Sequence, residues 1–144
     1  MRARILVVLL AAILLATASG SAQGFKPYPG ATKLDKESAE ATKLMPSAGE
    51  ASVFTTSDSY DKVVAFYKAS GKEYTLKGMS KVKLASGQEV QSTFFLFDGG
   101  TNLATSKCWA KVQRPYIGSV TMNGPSPEYH DIRDVTAILL TQKK

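Results

Sequence analysis

The segment Val90 to Phe97 constrains the fold of this chain more than any other part of the sequence. Its residue types predict a β-strand, in which successive side chains point to opposite sides. Phe94 and Leu96 therefore face one side, and Phe95 and Phe97 face the other. A sheet covered on one face alternates apolar and polar residues. The segment predicts a sheet whose two faces both need a cover.

The segment Val135 to Leu140 has the same property, because Ile138 and Leu140 alternate with Ala137 and Leu139. One helix covers only one face of a sheet. Three covers for the second face are considered: the N-terminal residues 23–50, a second copy of the chain, or a ligand. An apolar face left bare is rare on a monomer, so one of these three is expected.

The main helix is predicted from Asp58 onwards. Asp58 is the expected N-cap, because Asp61 follows it in a capping-box position. Gly71 is expected to end the helix in the left-handed conformation. Between them, four apolar residues at helical spacing form a stripe typical of core packing: Tyr60, Val63, Val64 and Tyr67.

The other elements are predicted to be strands. Ala51–Thr56, Tyr74–Leu84 (broken near Gly78) and Leu103–Val112 have strand-type composition, and Ser86 and Gly87 favour a hairpin turn. Residues 118–131 are expected to form a long connection. Residues 23–50 are expected to be an irregular segment, in which a short helix, a strand or a mobile stretch is left open for Asp35–Lys43. The predicted fold class is α+β: an antiparallel meander of about four to five strands with one main helix on one face. Residues 51–144 are the expected single domain.

Residues 1–22 have the three parts of a cleavable signal peptide. Arg2 and Arg4 give a basic start, Ile5–Ala18 is apolar, and small residues follow. The apolar run is shorter than the roughly 20 residues of a membrane-spanning helix. We expect cleavage after Ala22 and a secreted or periplasmic domain that is not embedded in a membrane.

Charge and cysteine content narrow the class of protein further. Loss of Arg2 and Arg4 lowers the net charge from +6 to about +4. The remaining lysines are scattered, which fits a solvated surface or weak attraction to an anionic envelope and disfavours a nucleic-acid partner. A single cysteine, Cys108, allows no disulfide within the chain and no lipid anchor at the new N-terminus.

No motif for catalysis or metal binding stands out in the sequence. Cys108 is expected to be a buried strand residue, and His130, the only histidine, an exposed loop residue. Together they make a formal thiol–base pair. The carboxylates around His130 lack a recognised metal spacing, and no phosphate-binding glycine loop or Gly-x-Ser-x-Gly turn is present. No cofactor and no metal are predicted.

Two candidate binding regions remain. The first is the second apolar face of the sheet, with Phe95, Phe97 and Trp109 at its centre, for a protein partner or a second copy of the chain. The second is the loop edge at Arg114 and Tyr116, where a proline lies between an arginine and a tyrosine. A strand end with a packed tyrosine is the alternative for that edge.

Two stretches together resemble a known pattern. Residues 28–31 (Tyr-Pro-Gly-Ala) form a turn, and residues 54–68 run from a Thr-Thr-Ser-Asp-Ser strand end into a Val-Val-x-Phe-Tyr helix. This combination is similar to that of small uncharacterised secreted bacterial proteins. The resemblance implies a location in the cell envelope and assigns no activity and no site residues.

The sequence therefore favours a non-catalytic exported domain that acts as a binding or interaction module of the cell envelope. One alternative is a small hydrolase or thiol-dependent enzyme that uses Cys108 or His130. Another is a carrier of an apolar ligand inside the space between helix and sheet.

Overall fold

The computed structural model describes residues 25–76 and 81–144. The predicted signal peptide and the break near Gly78 lie outside these residues. The described chain is an α+β fold with one large antiparallel sheet, one separate hairpin and two α-helices.

The large sheet has six strands, and every neighbouring pair is antiparallel. In chain order the elements are β1 (Thr32–Leu34), α1 (Asp35–Leu44), a short 3-10 helix (Pro46–Ala48), β2 (Glu50–Thr56), α2 (Tyr60–Lys68), β3 (Lys72–Tyr74), β4 (Gln91–Leu96), β5 (Cys108–Arg114), β6 (Tyr116–Asn123), β7 (Ser126–Arg133) and β8 (Thr136–Gln142). Their order across the sheet is β1-β2-β8-β5-β4-β3, and β6 pairs only with β7.

The α+β class and the antiparallel sheet are confirmed, but the expected strand count and the simple meander are wrong. The sheet has six strands, because β1 and the last strand β8 both pair with β2. Residues 118–131, expected as a connection, form the β6–β7 hairpin. Gly124 has φ 60 at the first position of its two-residue turn, where hairpins favour glycine. Since most of the hairpin is exposed, it lacks the apolar alternation by which strands are recognised.

Residues 23–50 are more regular than expected, and of the alternatives left open for Asp35–Lys43 the structure shows the helix. They contain β1, α1 and the start of β2. Only Ser38 of α1 is buried, so this helix has no apolar stripe for sequence patterning to detect. Its place against the sheet depends on hydroxyl groups instead.

Hydroxyl groups of α1 close the β2 edge of the sheet. Ser38 and Thr42 are four residues apart and lie on the same side of the helix. The amide of Val53 donates to Ser38 Oγ at 2.8 Å, and the amide of Ala51 donates to Thr42 Oγ1 at 3.0 Å. Ser38 Oγ in turn donates to the carbonyl of Leu34 at 2.6 Å. An edge strand exposes unpaired amides, and α1 satisfies these two.

Helix α2 covers one face of the sheet, which we call the helix face. Val63 and Tyr67 of the predicted stripe are fully buried there against Phe95, Val112 and Ile138. The N-cap is Ser59 rather than Asp58: Ser59 Oγ accepts from the amide of Lys62 at 3.3 Å. Asp58 does not cap the helix because its carboxylate accepts hydrogen bonds from elsewhere.

The Asp58 carboxylate ties the N-terminal turn to α2. The Tyr28 hydroxyl donates to Asp58 Oδ2 at 2.6 Å, and Lys62 Nζ lies 3.0 Å from the same oxygen. The Tyr28 ring meets that of Phe66 edge-on, with centroids 5.2 Å apart. The Tyr67 hydroxyl donates to the carbonyl of Lys26 at 3.0 Å. The turn at residues 28–31 and the strand-to-helix step at 54–68 are therefore joined in space.

Gly71 is not a left-handed cap, because its φ is not positive. A Cβ added there would lie 2.7 Å from the Phe97 ring and 3.0 Å from the Cβ of Phe95. The glycine allows the chain to leave α2 in close contact with β4, so packing, rather than backbone conformation, excludes larger residues.

Substitution of Ser38 tests the closed edge. Ser38→Ala leaves the Val53 amide without its acceptor, and we expect the free energy of unfolding to fall by about 1–2 kcal/mol. Urea denaturation monitored by circular dichroism measures this change. Glu40→Ala, an exposed change on the same helix, is the control, and an equal loss in both variants would contradict the role of the hydroxyl.

Candidate binding groove

The predicted site residues Phe95, Phe97 and Trp109 do not share a face. Phe95 and Phe97 belong to the core of the helix face, whereas Trp109 packs with Phe94 and Leu96 on the opposite side. Trp109 pairs directly with Leu96 across β4 and β5, and directly paired residues point the same way. We call this opposite side the far face.

Phe95, Phe97 and Trp109 are all buried. Phe97 packs against Phe25, with ring centroids 5.5 Å apart. The far-face cluster around Trp109 packs against partly buried side chains from several segments: Ala48, Tyr74, Leu76, Leu103 and Leu139. These three residues therefore do not form one open face, because all are buried and Trp109 lies on the side opposite Phe95 and Phe97.

Arg114 ties strand ends together instead of presenting a recognition edge. Its guanidinium donates to the carboxylate of Asp134 at 3.1 Å and to the carbonyl of Asp58 at 3.1 Å. It also donates to Thr136 Oγ1 at 3.1 Å, and Thr136 donates to the same Asp58 carbonyl at 2.7 Å. Arg114 thus connects the end of β5, the start of β8 and the turn before α2.

Tyr116 is a packed tyrosine at a strand end, which is the alternative expected for this edge. It is buried, and the Arg133 guanidinium lies over its ring, 4.2 Å from the centroid. The contact holds the base of the β6–β7 hairpin, because Tyr116 and Arg133 are opposite each other in the two strands.

The pair Cys108 and His130 is not brought together. Cys108 is buried at the start of β5, and burial raises the pKa of its thiol, as does the nearby Asp98 carboxylate. His130 is exposed on the hairpin, where its ring nitrogen hydrogen-bonds Thr121 at 2.7 Å. The hairpin leaves from the other end of β5, about 20 Å away at the rise of a strand. A thiolate at Cys108 with His130 as its base is not favoured by this arrangement.

An open groove of about 710 Å³ lies where the far face meets the β6–β7 hairpin. One wall is formed by β4 and the loop that precedes it, and the other by the hairpin. The lining combines aromatic rings, aliphatic groups and side-chain amides: Tyr60, Tyr74, Thr75, Leu76, Lys81, Val82, Glu89, Val90, Gln91, Ser92, Thr93, Phe94, Lys111, Gln113, Ile117, Val120 and Tyr129. We call this the binding groove.

The side of the groove next to β4 is lined by residues that follow β3 and residues that precede β4. Tyr74 of β3 pairs with Phe94, and the amide of Val90 donates to the carbonyl of Val82 at 2.8 Å. Thr75 and Leu76, directly after β3, also line the groove. These backbone contacts position Tyr74, Val82 and Val90 in the lining of the groove.

Lys111 is the cationic residue among the far-face side chains of the groove. It is half-buried, and its ammonium lies over the Phe94 ring, 5.7 Å from the centroid. Burial lowers the pKa of Lys111. The sequence contained a signal for it, because Lys111 and Gln113 continue the two-residue register of Trp109 and interrupt an otherwise apolar face.

The hairpin supplies apolar groups to the groove. Val120 and Tyr129 are opposite each other in β6 and β7, and both line it. Val120 remains 52 % exposed, so its side chain is available to a ligand. Sequence reasoning missed this wall because it treated residues 118–131 as a connection.

The loop between β4 and β5 completes the cover of the far face through Leu103. Asp98 holds the loop closed, since its carboxylate accepts hydrogen bonds from the Gly100 amide, the Ser106 hydroxyl and the Lys107 amide. Although burial opposes the shift, these hydrogen bonds keep the pKa of Asp98 below its ordinary value.

Among residues 25–76 and 81–144, no cluster of His, Cys, Asp or Glu side chains is arranged to hold a metal ion. Within the same residues, no helix has the length and apolar character to cross a membrane. Comparison of the chain with protein-family models, curated proteins and solved structures found no match.

The hydrogen bonds that the Asp98 carboxylate accepts predict that the stability of the fold depends on pH. Asp98→Asn should lower the free energy of unfolding by about 1 kcal/mol at neutral pH, a small value because the carboxylate is partly exposed to solvent. A carboxylate whose pKa is lowered by folding stabilises the fold at pH values above its pKa in the unfolded chain, 3.8. This contribution is lost as the pH falls through the lower pKa of the folded state.

Urea denaturation at neutral pH and at about pH 3 measures the difference between wild type and Asp98→Asn. We expect the difference to shrink at the lower pH. Asp61→Asn, a substitution of the same kind in the first turn of α2, is the control. A difference that stays constant with pH would contradict the role of the ionised carboxylate.

Proposed function

We propose that this chain is a non-catalytic binding domain that acts outside the cytoplasm and holds a small ligand in the binding groove. The groove is the observation that supports this proposal. Its volume of about 710 Å³ lies within the range of roughly 300–1,000 Å³ typical of small-molecule sites. Its lining has the mixture such sites use, with aromatic and aliphatic walls and a few polar groups.

The groove is also built on supported elements. Its floor residues Phe94 and Lys111 lie in neighbouring central strands β4 and β5. The base of the hairpin wall is held by the contact between Tyr116 and Arg133. A site whose walls are positioned by strand pairing loses little conformational entropy when a ligand binds.

A carrier of an apolar ligand inside the space between α2 and the sheet is less well supported. Tyr67, Phe95 and Val63 fill that space and are fully buried. The ligand site we propose lies instead at the sheet edge. Only the Tyr60 hydroxyl, bonded to Thr93, reaches the groove from α2.

The neutral fluorescent amine N-phenylnaphthylamine tests the groove, since it matches the apolar walls and carries no charge. We expect saturable binding with one site per chain. Val120→Asn places a polar amide on the wall and should raise the dissociation constant about tenfold. Fluorescence titration of the folded protein measures both quantities.

Ile132→Asn is the matched control for this experiment. Ile132 is 44 % exposed on the same hairpin but does not line the groove, so its substitution should change the dissociation constant less than twofold. Absence of saturable binding by the natively folded wild type, or an equal effect of both substitutions, would overturn the proposal.

The location has a separate test. Production of the full chain in a bacterial host, followed by mass spectrometry of the exported protein, should find Gln23 as the first residue. A chain that keeps residues 1–22 and stays in the cytoplasm would contradict the proposed location while leaving the groove unaffected.

A further inference from the structure

The charge on Lys111 is not compensated by any carboxylate of the chain. No carboxylate oxygen lies within 4.0 Å of its ammonium among the ion pairs of the described residues. Residues 1–24 and 77–80, which the structure does not describe, contain no aspartate or glutamate. Every aspartate and glutamate of the chain therefore lies in the described residues, and none of them forms an ion pair with Lys111.

Lys81, the second lysine among the described residues of the lining, differs in this respect. Lys81 Nζ lies 3.5 Å from Glu89 Oε2, and its side chain is 81 % exposed. Lys81 and Glu89 thus compensate each other in solvent at the rim. Lys111 is half-buried on the sheet, with the Phe94 ring below its ammonium. Among the described residues that line the groove, the net charge is therefore positive and lies on the floor.

Burial of an unpaired ammonium is unfavourable unless a partner or water compensates it. Desolvation lowers the pKa of Lys111, which expresses that cost. An anion that enters the groove would supply the missing partner, and the interaction would be stronger there than at the exposed rim, since water screens it less.

We propose that the ligand of the binding groove is a small organic anion with an apolar portion, and that its anionic group contacts Lys111 Nζ. This inference rests on the proposed function and specifies the class of ligand. The apolar portion packs between Phe94 and Tyr74 on the sheet side and Val120 and Tyr129 on the hairpin side. Gln113, on the same face as Lys111, also lines the groove, and its side-chain amide donates to the carbonyl of Pro115 at 3.3 Å.

An inorganic anion alone does not fit the groove. Its walls contribute aromatic and aliphatic surface around a single floor cation, so a phosphate or sulfate ion would leave most of that surface in water. A neutral apolar compound would leave Lys111 buried and unpaired. An amphiphilic organic anion contacts the apolar walls and also pairs with Lys111.

Two probes that share one ring system isolate the contribution of the anionic group. N-phenylnaphthylamine is neutral, and anilinonaphthalene sulfonate adds one sulfonate group to the same ring system. We expect the wild type to bind the sulfonate about tenfold more tightly than the neutral probe, as a charge-assisted hydrogen bond does. Isothermal titration calorimetry gives both dissociation constants and the stoichiometry.

Lys111→Met should abolish the preference for the sulfonate without weakening the neutral probe, because methionine keeps the apolar contacts with Phe94. Lys81→Met removes the same charge from the rim and should change the preference less than twofold. Lys111→Arg retains the positive charge and should retain most of the preference. Circular dichroism of each variant confirms that it is folded before the titration.

The outcomes separate this inference from the proposed function. Equal affinity of the wild type for the two probes, or an equal effect of Lys111→Met and Lys81→Met, overturns the anion site while the groove remains a binding site. Failure of both probes to bind the folded wild type overturns the proposed function and this inference with it. Loss of the preference in Lys111→Met alone supports both.

Discussion

The structure depends on a sheet whose central strands carry apolar side chains on both faces. Phe95 and Ile138 face α2, while Leu96 and Trp109 face the other way. Because a single helix covers one face, the chain needs a second cover, and it assembles one from short pieces of several segments. Burial of one large aromatic side chain is worth about 2–3 kcal/mol, so each piece contributes to stability although none is a regular layer of its own.

The position of the groove follows from this cover, which short pieces of several segments form together. The pieces that cover the far face, including Ala48 and Leu103, cluster around Trp109 and Leu96. Further along β4 and β5, towards Arg114, Lys111 is half-buried and lines the groove together with the Phe94 ring, of which 9 % remains exposed. The hairpin forms the second wall beside this part of the sheet. The candidate site is thus at the margin of the covered part of the far face.

The two edges of the sheet are built differently. The β2 edge is closed by backbone pairing with β1 and by the hydroxyls of Ser38 and Thr42. At the other edge, β3 pairs with β4 over three residues, and Thr75 and Leu76, which follow β3, line the groove. The hydroxyls of α1 satisfy two β2 amides that an exposed edge would offer to other chains. Arg114 connects the strand ends near the groove, so the opening lies beside a rigid part of the fold.

The sequence alone determined the α2 stripe, the strands around Phe94 and Ile138, the antiparallel α+β class and the burial of Cys108, because each depends on local periodicity. It did not determine α1 or the β6–β7 hairpin, which lack an apolar stripe and are held by hydroxyl contacts and by a turn at Gly124. Nor did it determine which side chains share the far face, since that requires the register between β4 and β5. Only the tertiary structure placed Lys111 and Val120 in the lining of one groove, because residues from separate strands come together through pairing and hairpin direction rather than through their spacing in the chain.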